Sequence, residues 1–152
     1  MVAIAATPLF MRDVYLTLNV GTPGGEYQCH VSEARVQVTP GAQVDIQTLC
    51  SDGTFSQVGQ STYSLVLEGI QDWSDDTTDQ GLARFLWEQE GESATFVLNA
   101  HGETVTVPTA DQPSMEGSVT LIAGDYGGVI NEYASLSLEL PCLAKPTLNS
   151  GA

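Results

Sequence analysis

Basic residues are nearly absent. Four Lys and Arg face nineteen Asp and Glu in 152 residues, giving a formal charge of −15 and a pI near 4.1. Proteins that hold nucleic acid do so by displacing phosphate counterions with Lys and Arg. The composition therefore argues against stable binding to DNA or to an anionic membrane. A surface that repels DNA without holding it is compatible with this balance, and so is acidity that serves solubility alone. Long apolar runs are missing too: none approaches the ~20 residues of a membrane-spanning helix. Residues 1–11 are mildly apolar but lack the basic leading segment of a secretory signal, so they read as an arm. Cysteine is scarce and scattered. Cys29, Cys50 and Cys142 show no C-x-x-C pairing and no His at metal spacing, which suggests neither a zinc site nor a disulfide framework. The expectation is free thiols, buried, in a reducing cytoplasm.

Material for catalysis is equally thin. His30, in a strand beside Cys29, and His101, in a hairpin turn before Gly102, are the two imidazoles, and both read as ordinary packed or exposed histidines. Asp72, Asp75, Asp76 and Asp79 lack the central Gly and terminal Glu of a calcium loop. Helix capping explains them better. Nineteen acids always allow some carboxylate pair within reach, so that signal is empty. The glycines of 124–128 come without a Lys or a βαβ pattern and read as a tight turn. Trp73, Trp87, Tyr126 and Tyr133 could stack on a sugar, but Trp87 lies beside a helical apolar stripe and is expected in the core. No catalytic residue, metal or cofactor is expected.

What the chain does have is period-2 alternation, the mark of half-buried strands. In 13–20, Val14, Leu16, Leu18 and Val20 share one face, and Tyr15, Thr17 and Asn19 the other. After a Gly/Pro loop at 21–25, alternation resumes over 27–39, with a bulge or bend at 32–34. Further strands are expected at 42–49, 62–70, 94–99, 103–108, 118–123 and 134–140, and an extended tail at 141–152. The piece 40–61 is a hairpin-like excursion, turning at Ser51-Asp52-Gly53-Thr54 and then polar and flexible over 56–61. It has few apolar anchors, and a lone ribbon is marginal in water, so it needs something to lie against. One segment breaks the pattern: Leu82, Phe85 and Leu86 at helical spacing, with Gly91 suited to a left-handed cap, predict a helix over about 78–90 that packs on the sheet. The fold class is all-β with one helix, a β-sandwich or barrel-like domain.

The order of motifs carries a resemblance. Gln71-Asp72-Trp73 closes a strand, then come Gly81-Leu82-Ala83-Arg84-Phe85-Leu86-Trp87-Glu88 and Glu90-Gly91, followed by Phe96-Val97-Leu98. Ser118-Val119-Thr120-Leu121, the turn at 124–128, Leu138-Glu139-Leu140-Pro141 and Lys145-Pro146 complete it over about 62–147. In order and spacing these resemble the major tail tube proteins of siphophages, particularly those infecting actinobacteria. Asn99-Ala100 departs from the Pro that such proteins often carry, which touches one local turn.

The resemblance implies a β-sandwich tail tube domain at 13–140 between an N-terminal arm (1–12) and a C-terminal arm (141–152). It implies hexameric rings stacked into a tube, with strands from each subunit joined into one barrel. The lumen would pass DNA, without specific binding, and the tape-measure protein. Assembly would occur in the host cytoplasm, the product being the virion tail, with a tail terminator as a further partner. The excursion at 40–61 would bridge rings through Gln47, Leu49, Ser51, Asp52, Gly53, Thr54 and Phe55. Glu33, Asp45, Glu103 and Glu139 are the candidates for an acidic lumen. Competing readings are a tail terminator of the same fold and a non-viral β-sandwich binding module. An enzyme is the least supported.

Overall fold

Alternation carries ten segments of the chain into strands among residues 2–11, 14–21, 24–50, 52–75, 80–101 and 108–151, which a computed structural model describes. Its elements are β1 (Tyr15–Asn19), β2 (Gly24–Glu26), β3 (Val31–Thr39), β4 (Gln43–Gln47), β5 (Thr54–Val58) and β6 (Thr62–Ile70). Then follow α1 (Leu82–Glu88), β7 (Ser93–Asn99), β8 (Ser114–Thr120), β9 (Ser135–Pro141) and β10 (Thr147–Asn149). All strand pairs are antiparallel. They make a five-stranded sheet in the order β10-β8-β7-β1-β2, a three-stranded sheet β3-β6-β9 and a two-stranded ribbon β4-β5.

The two larger sheets share one core. From the five-stranded sheet, Leu16 stands opposite Leu98, Leu18 opposite Phe96 and Ala94 opposite Val119. From the three-stranded sheet, Ala34, Leu65, Leu67, Leu136 and Leu140 join the same cluster. Each buried Leu or Phe contributes about 1.5–3 kcal/mol, so this shared layer is the main source of stability. The bulge expected near Ser32 is present as a register shift between Val31 and Glu33. There Gly69 of β6 passes so close beneath His30 that a Cβ would collide with the His30 carbonyl.

The helix is shorter than its apolar spacing suggests, two turns rather than 78–90. The backbone ahead of it is committed elsewhere: Asp75 bridges Gln80, and Gly81 N–H donates to the Ser74 carbonyl at 3.0 Å. Gly81 is therefore the N-cap, extended and without a side-chain cap, which corrects the aspartate capping expected. Residues 76–79, where Asp76, Asp79 and the expected helix start fall, lie outside the described residues. Past the helix, Gly91 adopts φ +88° and its N–H donates to the Leu121 carbonyl at 2.9 Å. Two turns do not hold alone in water. Leu82, Ala83, Phe85 and Leu86 are buried in the core, with the Phe85 ring stacked 5.5 Å from Tyr27.

Several local expectations are corrected. Trp87, two residues beyond Phe85, points off the buried stripe and is 56% exposed, not core. Cys29 and Cys50 are exposed, because the first sits in a 3-10 turn (Gln28–His30) rather than a strand and the second in the ribbon's turn. Cys142 is half-buried, and burial pushes its thiol pKa up. The supposed loop at 21–25 contributes β2, and the polar run after the turn at 52–54 forms β5. The expected strand at 118–123 begins earlier, as β8. The C-terminal segment is not a free extended arm throughout, since Leu148 of β10 pairs with Met115 of β8. The expected strand at 103–108 falls almost wholly outside the described residues.

Candidate functional site

Alternation along β3, β6 and β9 sends one set of side chains into the core and the other outward. With Ala34, Leu65, Leu67, Leu136 and Leu140 inside, the outward set includes Glu33 and Arg35 of β3, Ser64 and Glu68 of β6, and Ser137 and Glu139 of β9. Glu33 and Glu68 are direct cross-strand partners. Like charges directly opposite each other weaken a sheet, so this pairing does nothing for the stability of the isolated chain. Ser64 Oγ donates to Glu139 at 2.6 Å and Ser137 Oγ to Glu68 at 3.4 Å. Arg35 brings the one base to the face, pairing with Glu33 at 2.7 Å; both are substantially exposed, so the pair adds little stability.

The edges of this sheet are open. Among the described residues β3 pairs along its length with β6 alone, and β9 likewise with β6, leaving a nine-residue and a seven-residue edge. Long unpaired edges present rows of N–H and C=O groups that template pairing with another chain.

From the end of the sheet where Thr39 pairs with Thr62, the chain runs out into the ribbon. Every residue of β4 and β5 is exposed. Ile46 stands opposite Phe55 and Val44 opposite Gln57, so Val44, Ile46 and Phe55 share one face. The other face is polar apart from Val58: Asp45 accepts from Ser56 Oγ at 2.5 Å and from Gln43 Nε2 at 3.2 Å. At the turn, Thr48 N–H donates to the Gly53 carbonyl at 2.6 Å and Gly53 N–H to the Cys50 carbonyl at 3.1 Å.

Of the residues singled out from sequence, Glu33 and Glu139 come together on the outward sheet face. Asp45 does not join them, since it lies on the ribbon. Glu103 lies outside the described residues. Glu68 was missed, although its alternation with Leu65 and Leu67 would have found it. Gln47, Leu49, Asp52, Gly53, Thr54 and Phe55 all lie on the ribbon and its turn, and Ser51 falls outside the described residues. The ribbon's apolar face adds Val44 and Ile46 to them.

His30 Nε2 meets Asp72 Oδ2 at 2.9 Å, tying the start of β3 to the segment ahead of α1. Asp72 also accepts from Ser74 N–H at 2.9 Å. Hydrogen bonds from the Ser74 side chain and backbone, with His30 adding a smaller pull, hold its carboxyl below the usual range. His101 occupies the turn after β7, its N–H donating to Asn99 Oδ1 at 3.0 Å.

Fold and site together define a β-sandwich domain with, among the described residues, one short α-helix, one acidic sheet face between open edges, and a projecting ribbon. The same fold occurs in a chain from the tail of an empty gene transfer agent particle, solved by helical refinement with C6 symmetry. That match covers 90% of this chain and 96% of the other, at TM-score 0.59 and 20% identity. A chain of the virion of the native gene transfer agent particle matches at TM-score 0.58 and 20% identity, over 88% and 95% of the two chains. The sequence matches no protein-family model and no curated protein. At this identity the likeness is one of fold, and it agrees with the fold expected from the resemblance to tail tube proteins.

Proposed function

We propose that the protein is a structural, non-catalytic subunit of a phage-like tail tube, forming hexameric rings that stack around a lumen. The observation that carries this is the β3-β6-β9 sheet, which combines two long open edges with an outward face bearing Glu33, Glu68 and Glu139. Pairing the β3 edge of one copy with the β9 edge of the next satisfies both rows of main-chain groups and closes when the rotation closes. Joined this way, the sheets form a barrel whose acidic face lines the lumen. DNA then slides past a wall that repels its phosphates and offers almost no base to hold them. The fold shared with a chain of a C6-symmetric tail supports a six-fold ring. The ribbon and the N-terminal arm extend to the neighbouring ring. A tape-measure protein inside the tube and a terminator at its end are the matching partners, with assembly in the host cytoplasm.

Electron microscopy of the purified protein tests the reading. Six-fold rings and open-ended tubes are the expected result. Rings that never stack would transfer the assignment to a tail terminator. A chain that stays monomeric at high concentration would fit a binding module and overturn the proposal.

A further inference from the structure

Two exposed apolar surfaces lie at opposite ends of the β3-β6-β9 sheet. One is the ribbon face, where Val44, Ile46 and Phe55 are 56%, 60% and 65% exposed. The other caps the far end, where Ile70 pairs with Ser135. There residues 121–134 form a long connection outside any strand. Loops of that length without regular structure are uncommon in compact domains unless they serve a function.

This loop is held in place. Gln71 Nε2 donates to the carbonyls of Gly127 at 2.9 Å and Ser135 at 2.7 Å, and Gln71 Oε1 accepts from Gly127 N–H at 3.0 Å and Trp73 Nε1 at 3.1 Å. Trp73 meets the rings of Tyr126 at 5.1 Å and Trp87 at 6.0 Å, both edge-on. Onto this frame the loop adds Val129, Ile130 and Tyr133, at 68%, 86% and 96% exposure. Fixed aromatics with adjacent aliphatics are the composition of an interface core.

We propose that the Val44–Ile46–Phe55 face of the ribbon docks, in a second copy of this chain, on the surface built by Trp73, Trp87, Tyr126 and Ile130. The inference rests on the stacked-ring reading and adds to it the surface that receives the ribbon. The nine-residue β6 separates the two surfaces by about 26 Å at ~3.3 Å per residue, and the ribbon of one chain does not cover its own loop. The contact is head-to-tail between unlike patches. It does not close on itself: each docked copy offers a fresh ribbon, the geometry of an open filament. Charge does not drive it. The ribbon and the loop contain no Lys or Arg, while Asp45 and Asp52 flank one patch and Asp125 and Glu132 the other. Added salt screens that repulsion and promotes stacking.

The test compares wild type with Ile46→Asp and Ile130→Asp, both at exposed positions that leave the fold intact, by electron microscopy and sedimentation. Each variant should form rings but no tubes. Mixing the two kinds of ring should give ring pairs that do not grow, because one ring keeps a sound ribbon and the other a sound loop. A single chain carrying Ile46→Asp with Ile130→Lys should recover tubes. Normal tubes from Ile130→Asp, or mixed rings that stay single, would overturn the proposal while leaving the ring reading standing. If deleting residues 1–11 abolishes stacking and Ile46→Asp does not, the N-terminal arm is the occupant and the ribbon assignment falls. A wild-type chain that forms neither rings nor tubes would overturn both this inference and the reading beneath it.

Discussion

Replacing Phe85 by Ala should be the most damaging single change in the helix. Its side chain is fully buried, stacks on Tyr27, and sits with Leu82 and Leu86 in the cluster that both sheets share. Removing a buried Phe costs about 3–5 kcal/mol, the transfer term plus the cavity left behind. At roughly 2–4 °C per kcal/mol for a chain of this size, the melting temperature should fall by about 6–20 °C. Trp87 provides the control two residues away. It is larger but 56% exposed and meets Trp73 at its edge, so Trp87→Ala should cost at most about 1 kcal/mol. Thermal unfolding followed by circular dichroism, on dilute protein, reads the stability of the single chain apart from any that the proposed assembly would add. A drop of less than about 3 °C for Phe85→Ala, or equal drops for both variants, would refute the assignment of the helix to the core.

Other outcomes follow from the same geometry. Shortening the span 50–57 to a two-residue turn should leave a subunit that melts like wild type but makes no long tubes; normal tubes would show that the ribbon does not bridge rings. The Asp72 carboxyl, held low in the fold chiefly by Ser74, contributes stability that is present above the unfolded pKa and lost as pH falls through the folded one. The gap in denaturant midpoint between wild type and Asp72→Asn should therefore shrink as pH drops from neutral into the range below about 3.9, and a gap independent of pH would contradict this. Lys at Glu33, Glu68 and Glu139 together should slow DNA passage through otherwise normal tubes, because wall charge acts over a Debye length of ~10 Å at 0.1 M salt. The same change at Glu26 and Glu116, on the five-stranded sheet, should not. Unchanged passage through the Lys-lined tube would assign the acidity to solubility.

Strand existence was legible because alternation is a local signal. Leu65 and Leu67 against Ser64 and Glu68 announce both the strand and its faces without reference to any neighbour. The same holds for the stripe of Leu82, Phe85 and Leu86, and for Gly91, whose left-handed φ no other residue adopts so cheaply. Net charge is likewise a property of the chain itself. Where the sequence misled, backbone pairing or helical phase had decided the matter. The helix starts late because Gly81 bonds to Ser74 and Gln80 bridges to Asp75. Trp87 looked like core by hydrophobicity, yet helical phase turns it away from the sheets. The C-terminal segment looked free until β8 offered it an edge.

The sequence alone settled the class of fold and the acidity, since each depends on residue type and short-range spacing; the expectation of a ribbon poor in apolar residues is corrected by Val44, Ile46 and Phe55, exposed together on one face. Only the tertiary structure settled which acids share a surface. Glu33, Glu68 and Glu139 are brought onto one face by register between β3, β6 and β9, and register is set by pairings such as Glu33 with Glu68 and Val66 with Glu139, 35 and 73 residues apart, that no local pattern records. The same pairing left Asp45 on the ribbon, and it set an apolar ribbon at one end of the sheet against an aromatic loop at the other.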